Sequence, residues 1–407
     1  MTAAVRQCEA SGVDLLVVLH LAYSPSLESL PALRATRLPL LLLDTTMDAR
    51  FDQAVAPERI MYNHGIHGVM DLASVLRREG RAFEIAAGHL ALSPVIERAA
   101  ELARAARAAH RLRRTKALRI GPTFAGMGDF AVPEEVLSRV LGITVDEVAP
   151  GALAPWIAGV TPAALAAEMA EDAARCVCLA PAAVHRRSTL IGLGLRALLA
   201  DGGYDAFSMN FLAFTTPDDP VSTLPFQEAG KAMARGIGYG GEGDVLTAAL
   251  VGALARGFGD TTFTEIFCPD WQGGSLFLSH MGEVNPALAA STPHLVEYDF
   301  PFTAARNPLK LACALRPGPA VFVNLAPGPR ETFSLLLAPV EMLPDTTNTA
   351  FAATIRGWMR PRLPLPAFLE AYSRHGGTHH SALVYGDRTE ALAAFARFAG
   401  LEYRIIA

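Results

Sequence analysis

Short apolar runs alternate with helical patterns in the first part of the chain, and this alternation constrains the fold more than any other feature of the sequence. Asp14–Leu19 and Pro39–Asp44 have the length and character of buried parallel strands. Helical patterns follow over Val69–Arg78 and Ser93–Arg111. Because strands separated by helices build parallel sheets, we predict an N-terminal α/β domain over residues 1–114. A complete doubly wound unit carries a further strand and helix at its start, so we expect this domain to be truncated.

The same alternation resumes at Lys116 and predicts a central α/β domain over residues 115–263. Lys116–Gly121 and Tyr204–Met209 are its predicted strands. A predicted helix over Ser188–Ala200 precedes the second strand and is followed by two glycines, which end helices readily. We therefore expect two doubly wound, Rossmann-like parallel sheets in succession.

Strand follows strand without an intervening helix in the last third of the chain. Ala320–Leu325 and Phe333–Leu337 are predicted strands joined by a turn rich in Pro and Gly. A last helix over Thr389–Phe398 precedes a short tail strand. This pattern predicts an antiparallel, β-rich C-terminal domain over residues 264–407, so the predicted fold class is α/β followed by antiparallel β.

The composition excludes several classes of function. The net charge of -5, from 35 basic and 40 acidic residues, leaves no basic excess for a nucleic-acid surface. The apolar runs Leu15–Leu21 and Leu38–Leu43 are too short to cross a bilayer, and the residues after Met1 lack the regions of a signal peptide. Five cysteines, an odd number at low density, do not favour a disulfide framework. We expect a cytoplasmic protein with no nucleic-acid and no membrane partner.

Glu242 lies in a glycine-rich stretch, Gly238–Asp244, immediately before a helix predicted over Asp244–Arg256. Asp244 suits the N-cap of that helix, because its side chain can accept from the backbone N–H groups of the first turn. Glycines let the backbone approach a ligand closely and adopt dihedral angles that other residues avoid. The pattern indicates a carboxylate aimed at a site, and an ordinary acidic turn is the alternative.

Glu265 and three histidines complete the candidate set. Glu265 is flanked by bulky apolar residues in the predicted strand Phe263–Phe267. An inward carboxylate there needs a partner or a metal, whereas simple alternation would place it on the solvent face. His280 follows an apolar run, and His379 and His380 follow two glycines. Each histidine could instead be a hydrogen-bonded residue of the core.

Two carboxylates and two imidazoles form a mixed set of oxygen and nitrogen donors. Such a set suits Mn²⁺ and similar borderline metals better than Ca²⁺, which prefers oxygen ligands. None of these stretches has the zinc-binding spacing HExxH. Ligands spread over more than a hundred residues give no local spacing signal, so residue spacing alone leaves the site open.

Several stretches, in the same order along the chain, resemble segments of the L-arabinose isomerase family, which is related more distantly to L-fucose isomerases. The resemblance extends from about residue 13 to the C-terminus. The matching stretches are NHGIHG at 63–68 (family NxxxHG), GGYDAF at 202–207 (GGFHAF), GYGGEGD at 238–244 with TAAL at 247–250 (GYGFAGEGDWKTAAL), TFTE at 262–265 (TSFMED), LSHMGEVNP at 278–286 (LGSHMLEVCP) and GGTHH at 376–380 (GGAHHT).

The resemblance implies a metal-dependent sugar isomerase that interconverts an aldose and a ketose through an enediol(ate), by proton transfer between C1 and C2. The implied ligands of a divalent metal, usually Mn²⁺, are Glu242, Glu265, His280 and His380. Glu242 and Glu265 would also be the catalytic acid/base pair. The implied substrate-binding residues are His67, Phe211, Met281 and His379.

The resemblance also implies a homo-oligomer, a trimer or a hexamer, that acts on a small-molecule sugar. Two alternatives remain open at this point. One is an isomerase of a different sugar, for example a deoxy or branched one. The other is a non-catalytic sugar-binding or regulatory protein on the same scaffold. A sensor has no need of both acid/base carboxylates, and the chain has both Glu242 and Glu265.

Overall fold

The computed structural model describes residues 1–218, 220–346 and 349–407. The chain forms two compact units. The first comprises Met1–His110 and Glu390–Leu401, and the second comprises Arg111–Thr389 and Glu402–Ala407. The predicted fold class, α/β parallel sheets followed by antiparallel β structure, is confirmed. The three predicted domains, over residues 1–114, 115–263 and 264–407, stay a prediction.

The first unit is built around a parallel three-stranded sheet with strand order β1-β2-β3. One face of this sheet packs on apolar side chains of the first, second and fourth helices. The helices and strands up to the end of this unit's first segment are α1 (Thr2–Ala10), β1 (Leu16–Leu19), α2 (Ser26–Ala35), β2 (Leu40–Asp44), α3 (Ile60–Asn63), α4 (Gly65–Arg78), β3 (Glu84–Ala87) and α5 (Val95–Leu112).

The second unit begins with a parallel four-stranded sheet of order β5-β4-β7-β8 and its flanking helices. The predicted strand Lys116–Gly121 and the predicted helix from Asp244 both form, each within two residues of its expected ends. The elements are β4 (Lys116–Ile120), α6 (Glu134–Val136), β5 (Thr144–Val148), α7 (Ala154–Ala158), α8 (Pro162–Arg175), β6 (Val177–Cys178), α9 (Ala182–Asp201), β7 (Ala206–Met209), α10 (Phe226–Ala234), β8 (Gly238–Gly241) and α11 (Val245–Phe258).

The rest of the second unit is mainly a closed antiparallel barrel. Six strands pair in the order β13-β16-β9-β10-β15-β14, and pairing of β14 with β13 closes the ring. The elements are β9 (Thr261–Asp270), β10 (Ser275–Ser279), β11 (His294–Glu297), β12 (Leu309–Ala312), β13 (Gly318–Pro327), β14 (Phe333–Met342), β15 (Gly357–Pro361), α12 (Leu365–Arg374), β16 (His380–Tyr385), α13 (Thr389–Ala399) and β17 (Glu402–Ile405).

Two further features complete the second unit. A small sheet of order β12-β11-β6 joins β6 to the chain that follows the barrel's second strand. After α13, whose residues from Glu390 onward belong to the first unit, β17 pairs in parallel with β14. An apolar core inside and around the barrel includes Leu278, Phe322 and Leu383.

The length and apolar character of a helix decide whether it can cross a bilayer. Within the described residues, no single helix has both the length and the apolar character to cross a bilayer. The helical stretches Pro150–Ala158 and Pro162–Arg175 pass that test only as a pair, and a bend of 107° separates them.

Candidate metal centre and active site

Three neighbouring barrel strands bring Glu265 and two histidines together. Glu265 lies on β9 and pairs with His380, the first residue of β16, on one side. On the other side it pairs with Ser279, the last residue of β10, and His280 follows directly. Residues paired across antiparallel strands have Cβ atoms about 4.5–5.5 Å apart, so the register places the side chains of Glu265 and His380 in contact range, and His280 lies one residue beyond the end of β10. Glu265 is half-buried and does not lie on an open solvent face.

Glu242 comes from the parallel sheet, in the turn between β8 and α11. Its backbone adopts the left-handed region, with φ of 61°, which is uncommon for a residue with a side chain. Its backbone oxygen accepts from the Phe124 N–H at 2.9 Å, and its side chain is buried. Left-handed non-glycine residues cost free energy and cluster at functional sites. The glycine-rich stretch therefore holds a strained turn that buries a carboxylate.

The absence of a side chain at Gly241, the residue before Glu242, leaves room for the imidazoles. A Cβ atom at this position would lie 2.9 Å from Cε1 and 3.0 Å from Nε2 of His280, and 3.5 Å from Cε1 of His380. Distances below about 3.4 Å are tighter than ordinary van der Waals contact. The glycine thus permits a close approach of the two imidazoles to this turn. The close approach of the backbone to a ligand, which the sequence pattern indicates, stays a prediction.

The candidate donor atoms form two triads that share His380. In one triad, donor atoms of Glu265, His280 and His380 all lie within 4.8 Å of one another. In the other, the same limit holds for Glu242, His379 and His380. Oε2 of Glu242 lies 3.5 Å from Nε2 of His380 and 3.7 Å from Nε2 of His379. The structure therefore brings together the four residues predicted as ligands, and it adds His379 beside them.

Two buried polar atoms of this cluster lack a hydrogen-bond partner among the described residues. They are Oε2 of Glu242 and Nε2 of His380. Buried polar atoms are almost always satisfied, so such atoms point to a group that binds there. Convergent carboxylate oxygens and imidazole nitrogens are donors that a borderline divalent cation accepts. The donor set and the two unpaired atoms fit a divalent metal ion.

Each of the three imidazoles has a carboxylate at its Nδ1 atom. Nδ1 of His380 lies 3.1 Å from Asp244, Nδ1 of His280 lies 2.8 Å from Glu283, and Nδ1 of His379 lies 2.6 Å from Asp129. Sequence reasoning assigned Asp244 only as the helix N-cap, a role that the hydrogen bond from the Thr247 N–H at 2.8 Å confirms. It missed the imidazole contacts of all three acids.

Only two of these three carboxylates lie close in the sequence to a predicted site residue. Glu283 follows His280 by three residues in the chain, and Asp244 follows Glu242 by two. Asp129 is 250 residues from His379, to which its carboxylate also bonds through the backbone N–H at 3.0 Å. A pair so far apart in the chain is visible only after folding.

The pKa values of the two candidate acid/base carboxyls are shifted in opposite directions. Burial raises the pKa of Glu265 above its ordinary value, although His280 and His380 oppose the rise. Burial acts the same way on Glu242, but the nearby imidazoles, His379 first, outweigh it, so the pKa of Glu242 is lowered. Divergent pKa values in one pair of carboxyls are typical of acid/base sites.

The pKa of His379 is also strongly shifted. Burial lowers it, but the carboxylates of Glu242 and Asp129 more than reverse that effect and raise the pKa to about 9. The ring is partly exposed, with 30% of its side-chain surface accessible, whereas His380 is fully buried. His379 is therefore the imidazole of this cluster that solvent reaches best.

The remaining predicted substrate-binding residues lie in different surroundings. Phe211 is buried among aromatic rings, with centroid distances of 5.4 Å to both Phe124 and Phe300. Met281 is half-buried and directly follows His280. His67 lies in the first unit on α4, where its Nδ1 atom is 2.8 Å from Nε2 of His64. The roles of these residues in substrate binding stay predictions.

Comparisons with known proteins point to one family. The family model of the L-arabinose isomerase central domain matches residues 136–256, and that of the L-arabinose isomerase C-terminal domain matches residues 260–402. These two matched regions contain Glu242 and Glu265 respectively, and the second also contains His280 and His380.

Curated relatives are similar over nearly the whole chain. The L-arabinose isomerase of Acidothermus cellulolyticus is 30% identical over 431 residues, which cover 98% of this chain and 83% of the relative. That of Nocardioides sp. is 29% identical, over 97% of this chain and 80% of the relative. That of Geobacillus stearothermophilus is 30% identical, over 94% of this chain and 79% of the relative.

Proposed function

Since this chain belongs to the L-arabinose isomerase family, we propose that it is an isomerase that interconverts an aldose and a ketose. The observation that carries the proposal is the convergence of two carboxylates and two imidazoles around one buried ring, that of His380. A fold alone does not establish an activity, and the donor cluster supplies the chemistry that the fold does not. The residues of this cluster are Glu242, Glu265, His280, His379 and His380.

The reaction requires a base that removes a proton from one sugar carbon and an acid that delivers one to the neighbouring carbon. Glu242 and Glu265 are suited to divide this work, because burial and the imidazoles shift their pKa values in opposite directions. Both carboxyls lie within reach of His380, so one small substrate can contact both. The barrel strands and the strained turn hold them in place without a substrate.

A divalent metal, Mn²⁺ by family resemblance, would be held by Glu242, Glu265, His280 and His380. When bound, it would supply positive charge that polarises the sugar carbonyl and stabilises negative charge on the sugar oxygens. His379, whose partly accessible ring lies beside Glu242, would hydrogen-bond a sugar hydroxyl. Phe211 and Met281 complete the proposed substrate contacts within the second unit. A substrate-binding role for His67 and assembly into a trimer or hexamer are separate parts of the proposal, by family resemblance.

The test is isomerisation of a panel of pentoses and hexoses, L-arabinose included, followed as ketose formation. Dialysis against a chelator is expected to abolish ketose formation, and Mn²⁺ is expected to restore it. Glu265→Gln is expected to lower kcat by roughly 10²- to 10⁴-fold, since it removes a proton-transfer group. Glu341→Gln, which changes an exposed glutamate of the same barrel, serves as the control and retains the parent rate.

Two results would contradict this proposal. One is ketose formation that survives complete chelation, which would exclude the metal-dependent route. The other is a Glu265→Gln variant with nearly parental kcat, which would remove Glu265 from the proton transfer. Failure to convert any sugar, combined with tight sugar binding, would favour the non-catalytic alternative.

A further inference from the structure

Asp244 uses its two carboxylate oxygens for two different contacts. Oδ1 accepts from the Thr247 N–H at 2.8 Å and so caps α11. Oδ2 lies 3.1 Å from Nδ1 of His380. Both side chains are completely buried, with no exposed surface. The start of α11 is therefore tied directly to the histidine that both donor triads share.

Glu283 holds His280 in a similar way. Its Oε2 atom accepts from Nδ1 of His280 at 2.8 Å and from the Gly282 N–H at 2.7 Å. Its Oε1 atom accepts from the Tyr239 hydroxyl. The carboxylate is 1% exposed, and each of its oxygens has a donor. Because both carboxylate oxygens of Glu283 already accept hydrogen bonds, Glu283 orients the His280 ring and is not an additional ligand for a cation.

These contacts determine which ring nitrogen can bind a metal. A carboxylate can only accept hydrogen bonds, so each Nδ1 that faces one must carry the proton. In a neutral imidazole the lone pair then lies on Nε2. Nε2 of His380 is the atom that has no partner among the described residues, and it lies 3.5 Å from Oε2 of Glu242. The tautomer that Asp244 selects is thus the one whose lone pair enters the donor cluster.

We propose that Asp244 and Glu283 are positioning residues that fix the tautomer and the ring orientation of His380 and His280, so that both rings offer Nε2 to a divalent cation. This inference rests on the proposed function, which assigns the two histidines as metal ligands. The His280 ring also lies so close to Gly241 that a Cβ atom there would come within 2.9 Å of Cε1. Carboxylates behind metal-binding histidines commonly change metal affinity by 10- to 100-fold when they are removed.

A helix cap that contacts no imidazole allows the positioning role of Asp244 to be distinguished from its role as a helix cap. Thr161 caps α8 in the same unit, where its side chain accepts from the Ala164 N–H at 3.1 Å. Thr161→Ala is therefore the matched control for the loss of a cap. Asp244→Ala removes both the cap and the imidazole contact, and Glu283→Ala removes an imidazole contact without a cap.

The experiment measures Mn²⁺ affinity of the metal-free full chain, by titration calorimetry and by the electron paramagnetic resonance signal of free Mn²⁺. Asp244→Ala and Glu283→Ala are each expected to bind Mn²⁺ at least roughly tenfold more weakly than the parent. Thr161→Ala is expected to lower Tm and leave the affinity unchanged. If Asp244→Ala does not fold, Asp244→Asn, which conserves the size of the side chain, replaces it.

The tautomer supplies a readout that a purely structural role would not change. Nitrogen-15 shifts of the histidine rings in the metal-free chain are expected to show Nδ1 protonated for His280 and His380. In Asp244→Ala the His380 ring is expected to lose this preference. Parental Mn²⁺ affinity in both alanine variants would overturn the inference. A parent chain that binds no Mn²⁺ would instead overturn the proposed function, so the two failures are distinguishable.

Discussion

At the scale of single residues, Gly241 controls how closely the imidazoles approach the turn that carries Glu242. A Cβ atom there would meet the His280 ring at 2.9 Å, and that ring is held from behind by Glu283. The His280 ring cannot move away from position 241 without losing its hydrogen bond to Glu283. A methyl group at position 241 would therefore displace His280 from the donor cluster.

We predict that Gly241→Ala lowers kcat/KM for sugar isomerisation by roughly 10- to 100-fold, because small displacements of catalytic groups are costly. Gly151→Ala is the control, since a Cβ atom at Gly151 meets no atom within 4 Å. Steady-state kinetics with saturating Mn²⁺ and a Mn²⁺ titration measure the effect. A Gly241→Ala enzyme with parental kcat/KM and metal affinity would show that the His280 ring has room to move.

The sequence predicted the residues of the cluster better than their partners. Glu242, Glu265, His280 and His380 were identified from their neighbourhoods and from the family resemblance, and the structure brings their donor atoms together. Pairing of Asp129 with His379 was invisible, because strand and loop contacts across 250 residues leave no local pattern. Their assigned roles as ligands and as catalytic or substrate-binding groups remain predictions.

At the scale of secondary-structure elements, three helices of the second unit are joined by a network of buried and partly buried charges. Arg196 on α9 donates to Glu168 on α8 at 2.7 Å and to Glu228 on α10 at 2.8 Å. Lys231 on α10 also donates to Glu168, at 2.7 Å. Burial alone would raise the pKa of Glu168, but Arg196 and Lys231 outweigh burial and lower it to about 2.

This shift predicts a pH dependence of stability. The pKa of Glu168 is lower in the folded chain than its ordinary value of 4.5, so its contribution to stability is present above pH 4.5 and is lost as the pH falls towards 2. We predict that Glu168→Gln lowers Tm at pH 7 and makes Tm fall less steeply between pH 4.5 and 2. Glu171→Gln, which changes a more exposed acid on the same helix, is the control. Equal slopes in Glu168→Gln and the parent would contradict the prediction.

Most elements were predictable because their patterns are local, whereas their pairing was not. The strand predicted at Phe263–Phe267 is part of β9, and the helix predicted from Asp244 is α11. Glu265 lies opposite both Ser279 and His380 because β9 pairs with β10, the next strand in the chain, and with β16, which follows more than a hundred residues later. No local sequence pattern indicates which distant strands pair, so the sequence predicted only that this region is antiparallel.

At the scale of the whole molecule, every proposed metal ligand belongs to the second unit. A ligand that binds only the folded state stabilises it by about 2.7 kcal/mol at a free concentration of 100 times Kd. We predict that Mn²⁺ at this concentration raises Tm in differential scanning calorimetry by roughly 3–5 °C. Hydrogen exchange is expected to slow in β8, β9 and β16 and to remain unchanged in β1, β2 and β3. An unchanged Tm at saturating Mn²⁺ would contradict the prediction.

The return of α13 to the first unit has a consequence for synthesis of the chain. The first unit takes residues 1–110 from the start of the chain and 390–401 from near its end, where Arg397 donates to Glu84 at 2.9 Å. A ribosome adds roughly 5–20 residues per second, so the last helix of this unit is made some 15–60 s after its first 110 residues. During translation the early strands therefore lack their final helix until all six strands of the barrel have been produced.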